Sequence, residues 1–216
     1  MTASEARARA FYDRLGAGGL AARTTDAWDR MIVARVRAML PPGARVLDAG
    51  CGYGRVAVPL AQQGWGVVGL DIAPALLADA RRRARRAGVT LPLVEGSLLD
   101  PPIREGTVDV VLSLWSAFYE LTAEAEQRRA LAALYAVLRP GGFAIVEGPP
   151  PLGSSDRDAG TGRIASVPVQ GVPCETFRHD AATLERLARD VGVARHEVYV
   201  ADWAGRPRQL LRVSRA

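Results

Sequence analysis

The sequence predicts an α/β protein built on a doubly wound, mostly parallel sheet. Short apolar runs alternate with helical stretches along most of its 216 residues. The first run, Val46-Leu47-Asp48-Ala49, passes into Gly50-Cys51-Gly52-Tyr53-Gly54, with glycines at alternate positions. That is how a buried strand turns sharply into a helix while leaving backbone open to close approach. A second run, Trp65 to Leu70, ends in an acid, Asp71. Strand–helix alternation of this kind implies parallel pairing and right-handed crossovers.

Taken in order, residues 4–15 and 25–39 read as helices, with Phe11, Tyr12, Trp28, Ile32, Val33 and Val36 at their apolar positions. They form an N-terminal helical cap over residues 1–40. Gly16-Ala17-Gly18-Gly19 joins them, and Pro41-Pro42-Gly43 stops the second. Strand-like runs follow at 44–49, 66–71, 90–95, 107–113 and 142–148. Helical stretches at 54–63, 74–87 and 122–138 lie between most of them. Pro149-Pro150-Pro151 and a polar, glycine-rich stretch to Gly162 predict a mobile loop, and 149–176 reads as an active-site loop or insertion. A helix at 181–191 and strands near 193–201 and 208–214 complete a single domain over 1–216. No internal repeat is visible.

Composition bounds the function. A hydrophobic content of 49% suits a globular core. No run approaches the roughly 18 apolar residues of a membrane span. Met1 to Ala10 has arginines but no apolar signal region. Cys51 and Cys174 lack metal-ligand spacing, so both read as reduced thiols in a cytoplasmic protein. The net charge is +5, and every basic residue is arginine. That bias reflects GC-rich coding more than a partner. Arg81-Arg82-Arg83-Ala84-Arg85-Arg86 covers one helix face, opposite Leu76, Leu77 and Ala80, and reads as a solvated face. No aromatics interleave it to stack bases, which disfavours nucleic acid as a partner.

The glycine loop is Asp-x-Gly-x-Gly-x-Gly. Counting from Gly50, the last glycine of the dinucleotide fingerprint would fall on Arg55. No Gly-Lys-Ser/Thr follows, so phosphate binding is not indicated. An acid ending the second strand suits the two hydroxyls of a ribose. A ligand with a ribose and no phosphates fits.

In these residues, in Gly106-Thr107-Val108-Asp109-Val110-Val111-Leu112 and in Leu138-Arg139-Pro140-Gly141-Gly142-Phe143, the chain resembles a class I S-adenosylmethionine-dependent methyltransferase. There the segments are the glycine loop, the ribose acid, strand four and the turn before strand five. Their order and spacing match over residues 40–216. The resemblance implies a Rossmann-like methyltransferase fold, seven strands with the last antiparallel, and S-adenosylmethionine as cofactor.

Ligands in such sheets bind beyond the carboxyl ends of the strands. The cofactor candidates are therefore Asp48, Ala49, Gly50, Cys51, Gly52 and Gly54 after strand one, and Asp71 and Ile72 after strand two. Ser97 and Leu98 follow strand three, Leu114 and Trp115 follow strand four, and Tyr12 comes from the cap. Asp48 and Asp71 would also serve as helix N-caps, and Tyr12 would also serve as packing. Trp115, Phe118 and Tyr119 read equally as core and as site. Ser97 stands where the family often has an acid that receives the adenine amino group.

Methyl transfer is an in-line displacement that needs alignment and exclusion of water. A base is needed only for a hydroxyl or a protonated amine. His179, Tyr119 and Glu147 are the catalytic candidates, His179 because imidazole titrates near neutral pH. His179 reads equally as a capping or surface residue, and His196 as structural. The region after strand four, Ser113-Leu114-Trp115-Ser116, lacks the Asn/Asp-Pro-Pro-aromatic motif of base amino-methylases. Asp100-Pro101-Pro102-Ile103 precedes that strand. No acid follows strand four until Glu120, so no metal is expected.

Three functions remain open. The first is methyl transfer to oxygen or nitrogen of a small molecule, as in secondary metabolism. The second is RNA or protein methylation. The third is cofactor binding without methylation, as in a cyclase, a decarboxylase or a non-catalytic protein. A monomer or homodimer is expected.

Overall fold

The computed structural model describes residues 1–22, 25–151, 164–203 and 205–216. Its helices are α1 (Ala3–Ala21), α2 (Asp26–Met39), α3 (Ala57–Gln62), α4 (Pro74–Arg86), α5 (Glu124–Ala136) and α6 (Ala181–Asp190), with a short 3-10 turn at Phe118–Glu120. Its strands are β1 (Arg45–Ala49), β2 (Gly66–Asp71), β3 (Leu93–Glu95), β4 (Val108–Ser113), β5 (Leu138–Gly148), β6 (Ile164–Val169), β7 (Val172–Phe177), β8 (Arg195–Asp202) and β9 (Pro207–Ser214). Seven strands form one sheet in the order β3-β2-β1-β4-β5-β9-β8. The first five run parallel, and β9 runs antiparallel to both β5 and β8. The alternation of runs predicts the doubly wound, mostly parallel sheet, and the family resemblance implies its seven strands and antiparallel last strand.

Period-two alternation supplies both faces. Val46, Val110 and Ile145 point to one side, against Ile32, Val33 and Val36 of α2 and Leu60 of α3. Leu47, Val111 and Val146 point to the other, against Leu131 and Leu134 of α5 and Leu184 and Leu187 of α6. With both faces covered, the central strands are continuously apolar. Each fully buried leucine or valine contributes about 1.5–3 kcal/mol. On α4, Leu76, Leu77, Ala80 and Ala84 are buried, while Arg81, Arg82, Arg85 and Arg86 are exposed. That arginine run is a solvated face, as its spacing predicts.

Helix α1 starts in a capping box. Thr2 Oγ1 accepts from Glu5 N at 3.3 Å, and Glu5 Oε2 accepts from Thr2 N at 2.7 Å. The joint expected at 16–19 is instead a kink at Gly16 (φ 64°, ψ 174°), after which the helix resumes. The helix packs on α4, β7 and the 3-10 turn.

The sequence reads 149–176 as an active-site loop or insertion. Residues 164–177 form the β6–β7 hairpin, and 152–163 lie outside the described residues. Gln170 (φ 49°) and Gly171 (φ 76°) make a two-residue turn with both φ positive, the geometry that matches strand twist. Strand β5 also begins earlier than expected, at Leu138, with a register shift against β4 between Val108 and Val110. No described helix is long and apolar enough to cross a membrane.

Candidate active site

The sheet reverses direction of growth at β1, which neighbours both β2 and β4. The crevice at their carboxyl ends is the natural ligand position. Gly50, Gly52 and Gly54 all adopt positive φ, at 88°, 53° and 76°. A Cβ at Gly50 would lie 2.4 Å from that of Ala117, so glycine is needed there for space as well as for conformation. Gly50 N and Cys51 N both donate to Leu70 O, at 2.8 and 3.0 Å, clamping the loop to β2.

Asp71 completes the clamp. Its Oδ2 accepts from Gly52 N at 2.7 Å and its Oδ1 from Ala73 N at 2.9 Å. Burial raises its carboxyl above the ordinary value, and these amides partly offset the rise. A carboxylate has about four lone-pair positions. The two amides leave room for hydroxyl donors from a ligand. Asp48 sits behind the loop, 3% exposed. Burial and the neighbouring Asp71 charge push its carboxyl up to about 7, against the Ala57 amide.

A cavity of about 280 Å³ opens over this crevice. Asp71, Ile72, Gly96 and Leu98 line one end, with Glu5 above them from α1. Gly50, Cys51, Gly52, Leu114 and Trp115 line the other, and Tyr12 contributes to the wall. Of the expected cofactor residues, Asp48, Ala49, Gly54 and Ser97 are not part of this wall. Ser97 donates to Glu5 Oε1 and accepts from Leu99 N at 2.8 Å.

Trp115 is held in the wall by unusual backbone. Trp115 (φ 59°) and Ser116 (φ 72°) both occupy the left-handed region. Such residues cost on the order of 1–3 kcal/mol each and cluster at functional sites. Glu147, only 1% exposed, imposes the conformation. Its Oε2 accepts from Trp115 N at 2.7 Å, and its carbonyl accepts from Ser116 N at 3.3 Å. Its Oε1 pairs with Arg208, which also donates to Ser116 Oγ at 3.1 Å. The Trp115 ring lies 4.6 Å from that of Trp28, with the Arg55 guanidinium 4.1 Å from its centroid. Arg55 is bonded in turn to Asp29. Trp115 Nε1 is shielded from solvent and has no hydrogen-bond acceptor among the described residues.

None of the three expected catalytic residues is part of the cavity wall. Alternation along β7 explains His179. Cys174, Thr176 and Arg178 line the cavity, so Phe177 and His179 face the core. His179 is fully buried, its ring 4.6 Å from Phe177 and 4.8 Å from Tyr119. Tyr119 is also fully buried, with its hydroxyl 3.4 Å from Gln209 Oε1, and burial pushes its phenol up. Glu147 acts on Trp115 from behind.

The wall contains groups that sequence reasoning passed over. Glu5 had a signal in Thr2-Ala3-Ser4-Glu5, a capping-box pattern that fixes the carboxylate. Arg55 directly follows the last glycine. Glu120 is the first acid after β4, and it accepts a hydrogen bond from the Tyr12 hydroxyl. Burial, then the Glu120 charge, raises the Tyr12 phenol well above its ordinary value, so it stays protonated.

This sheet, with its glycine loop clamped to an acid at the end of β2, is the Rossmann-like methyltransferase fold. Residues 46–142 match the methyltransferase domain family. Over 113 residues the chain is 37% identical to the S-adenosyl-L-methionine-dependent Diels–Alderase iccD of Talaromyces variabilis, covering 50% of this chain and 37% of that one. Over 159 residues it is 37% identical to nocamycin O-methyltransferase of Saccharothrix syringae, covering 70% and 53%. Its fold matches the Burkholderia thailandensis 1,6-didemethyltoxoflavin-N1-methyltransferase, solved with 1,6-didemethyltoxoflavin and S-adenosylhomocysteine. That match has a TM-score of 0.73 at 20% identity and covers 100% of this chain and 92% of that one. The chain spans about half the length, or less, of the curated relatives it matches.

Residues 46–142 form a methyltransferase domain, and these matches support a class I S-adenosylmethionine-dependent methyltransferase. The cavity fits that cofactor. Carboxylates at one end suit hydroxyl and amino donors.

Proposed function

We propose that this protein transfers a methyl group from S-adenosylmethionine to an oxygen or nitrogen of a small-molecule acceptor. The observation that carries this reading is the enclosure of the cavity. Helix α1 covers it through Glu5, Ala8 and Tyr12, and the β6–β7 hairpin covers it through Val167, Val169 and Thr176. With S-adenosylmethionine in a cavity of about 280 Å³, the space left under α1 and the hairpin favours a small acceptor. The O-methyltransferase and N1-methyltransferase among the relatives support the same class.

S-adenosylmethionine supplies a methyl group already activated on a sulfonium. Asp71 holds the ribose, and the glycine loop that it clamps leaves room for the tail. Trp115, Leu114 and Tyr12 wall the reacting centre and exclude water. Glu147 and Arg208 fix Trp115, with Tyr119 packed against Gly148 behind them and His179 against Tyr119. With Tyr12 protonated and bonded to Glu120, this pair is placed to orient an acceptor hydroxyl or amine and to take its proton at Glu120.

The test incubates pure protein with methyl-labelled S-adenosylmethionine and a panel of small phenols, carboxylates and amines. Labelled product with stoichiometric S-adenosylhomocysteine supports the reading. A second reading, cofactor binding that supports cyclisation without methylation, is favoured by the Diels–Alderase relative. It is also favoured by a cavity wall without imidazole among the described residues. Cyclised, unlabelled product with intact cofactor would establish it and overturn the first.

A further inference from the structure

We propose that Glu5 of helix α1 receives the exocyclic amino group of the cofactor's adenine, and so selects the base. The proposal rests on reading the cavity as the cofactor site. Strand β3 lies beside β2 in parallel register, Asp71 opposite Glu95, on the side away from β1. A nucleoside whose ribose sits on Asp71, with its tail on the glycine loop beyond β1, therefore directs its base toward the end of β3. Ile72, Gly96 and Leu98 form an apolar floor there. Gly96 has no room for a side chain, since a Cβ would lie 2.8 Å from both Leu70 and Pro102.

The polar group supplied by β3 at this end is Ser97, and its hydrogen is committed to Glu5 Oε1. The hydroxyl therefore passes the acceptor role to the carboxylate. Glu5 is 6% exposed and lines the cavity. Its Oε2 takes Thr2 N at 2.7 Å, so the capping box and Ser97 fix both oxygens. Burial raises the carboxyl, but hydrogen bonds from Ser97 and Thr2 outweigh it and hold it below its ordinary value. No arginine pairs with Glu5 among the described residues. A buried carboxylate with spare lone pairs and no arginine partner calls for a donor from a ligand. An amino group on an apolar floor supplies one, whereas a carbonyl oxygen at the same position would repel it.

The experiment compares S-adenosylhomocysteine with S-inosylhomocysteine, in which a carbonyl oxygen replaces that amino group. Binding is measured by calorimetry on wild type and Glu5→Gln. Glutamine keeps the volume and, with its oxygen on Thr2 N, the capping box; its NH2 then puts a donor where the carboxylate oxygen stood. Wild type is expected to prefer the adenosyl ligand by about 50-fold or more, because a site built to pair a donor rejects the analogue lacking it. Glu5→Gln is expected to bring the two ligands within about five-fold, mainly by weakening the adenosyl ligand. A wild-type preference retained in Glu5→Gln would overturn the proposal, as would no preference in wild type. Failure of wild type to bind either ligand would overturn the cofactor site itself.

Ser97→Ala gives a second arm should Glu5→Gln not fold. Freed from its anchor, Glu5 should discriminate several-fold less well. Hydrogen exchange adds a readout independent of affinity. The adenosyl ligand should protect residues 3–12 of α1, and the inosyl ligand at equal saturation should protect them less. Equal protection by both would count against the assignment.

Discussion

Replacing Glu147 with glutamine tests whether the strained Trp115–Ser116 backbone is imposed by one buried carboxylate. Glutamine has nearly the same shape but only one acceptor oxygen, for two donors on opposite sides. If the oxygen stays on Trp115 N, the new amide faces the Arg208 guanidinium, donor against donor. Glu147 is 1% exposed at its side chain and Arg208 16%. Breaking a buried pair by removing one partner costs about 3–5 kcal/mol, and Arg208's partial access to water favours the lower end. For a chain of this size each kcal/mol moves the melting temperature by about 2–4 °C. A loss near 3 kcal/mol therefore corresponds to about 6–12 °C. Scanning calorimetry reads it, and a fall in S-adenosylhomocysteine affinity should accompany it as Trp115 relaxes. Arg208→Gln combined with Glu147→Gln removes both charges. The double variant should recover at least about 1 kcal/mol relative to the sum of the single changes. A single variant melting within about 1 °C of wild type, with unchanged affinity, would refute the idea that Glu147 imposes this geometry.

Three further outcomes are expected. Asp71→Ala should weaken S-adenosylhomocysteine binding ten-fold or more by calorimetry, about 1.4 kcal/mol, and unchanged binding would remove the ribose assignment. Asp48 titrates near 7 in the folded chain against an ordinary value of 3.8, a difference worth at most about 4 kcal/mol. Because the folded state keeps the proton longer, wild type loses stability as pH rises from about 4 through 7. Asp48→Asn lacks that loss, so its melting temperature relative to wild type should climb between pH 5 and pH 8; a flat or falling difference counts against the buried acid. Gly50→Ala places a Cβ 2.4 Å from that of Ala117 at a φ of 88°, and should abolish ligand binding while leaving helix content by circular dichroism near wild type.

What the sequence revealed was local, and what it hid was not. The β1 turn is legible because three glycines at alternate positions encode three positive φ values within five residues. Asp71 is legible because an acid closing a strand must sit at the carboxyl edge of the sheet. The pairing of Glu5 with Ser97 spans 92 residues, and no spacing rule links them. His179 stands beside a helix cap, where Asp180 Oδ1 accepts from Thr183 N at 2.7 Å, which gave it the look of an accessible base. Strand parity instead turns it into the core and turns Arg178 toward the cavity. The hairpin follows directly on the Pro149-Pro150-Pro151 and glycine-rich stretch and has prolines of its own. Pro168 and Pro173 in fact face each other across a two-stranded ribbon, where a missing N–H is tolerated.

The roof of the cavity consists of two segments far apart in the chain, and they hold each other. Arg7 pairs with Glu175 at 3.0 Å, and Gln170 Nε2 donates to Gly19 O at 3.2 Å. Both carboxylate and guanidinium are more than a third exposed, so this latch contributes at most about 1 kcal/mol and weakens with salt. Glu5–Ser97 and Tyr12–Glu120 hold α1 independently of this latch, so its loss loosens the roof on the hairpin side and leaves the sheet beneath intact. Ligand exchange then has a clock of its own. Residence time should shorten with ionic strength even where the chemistry inside the closed cavity stays the same.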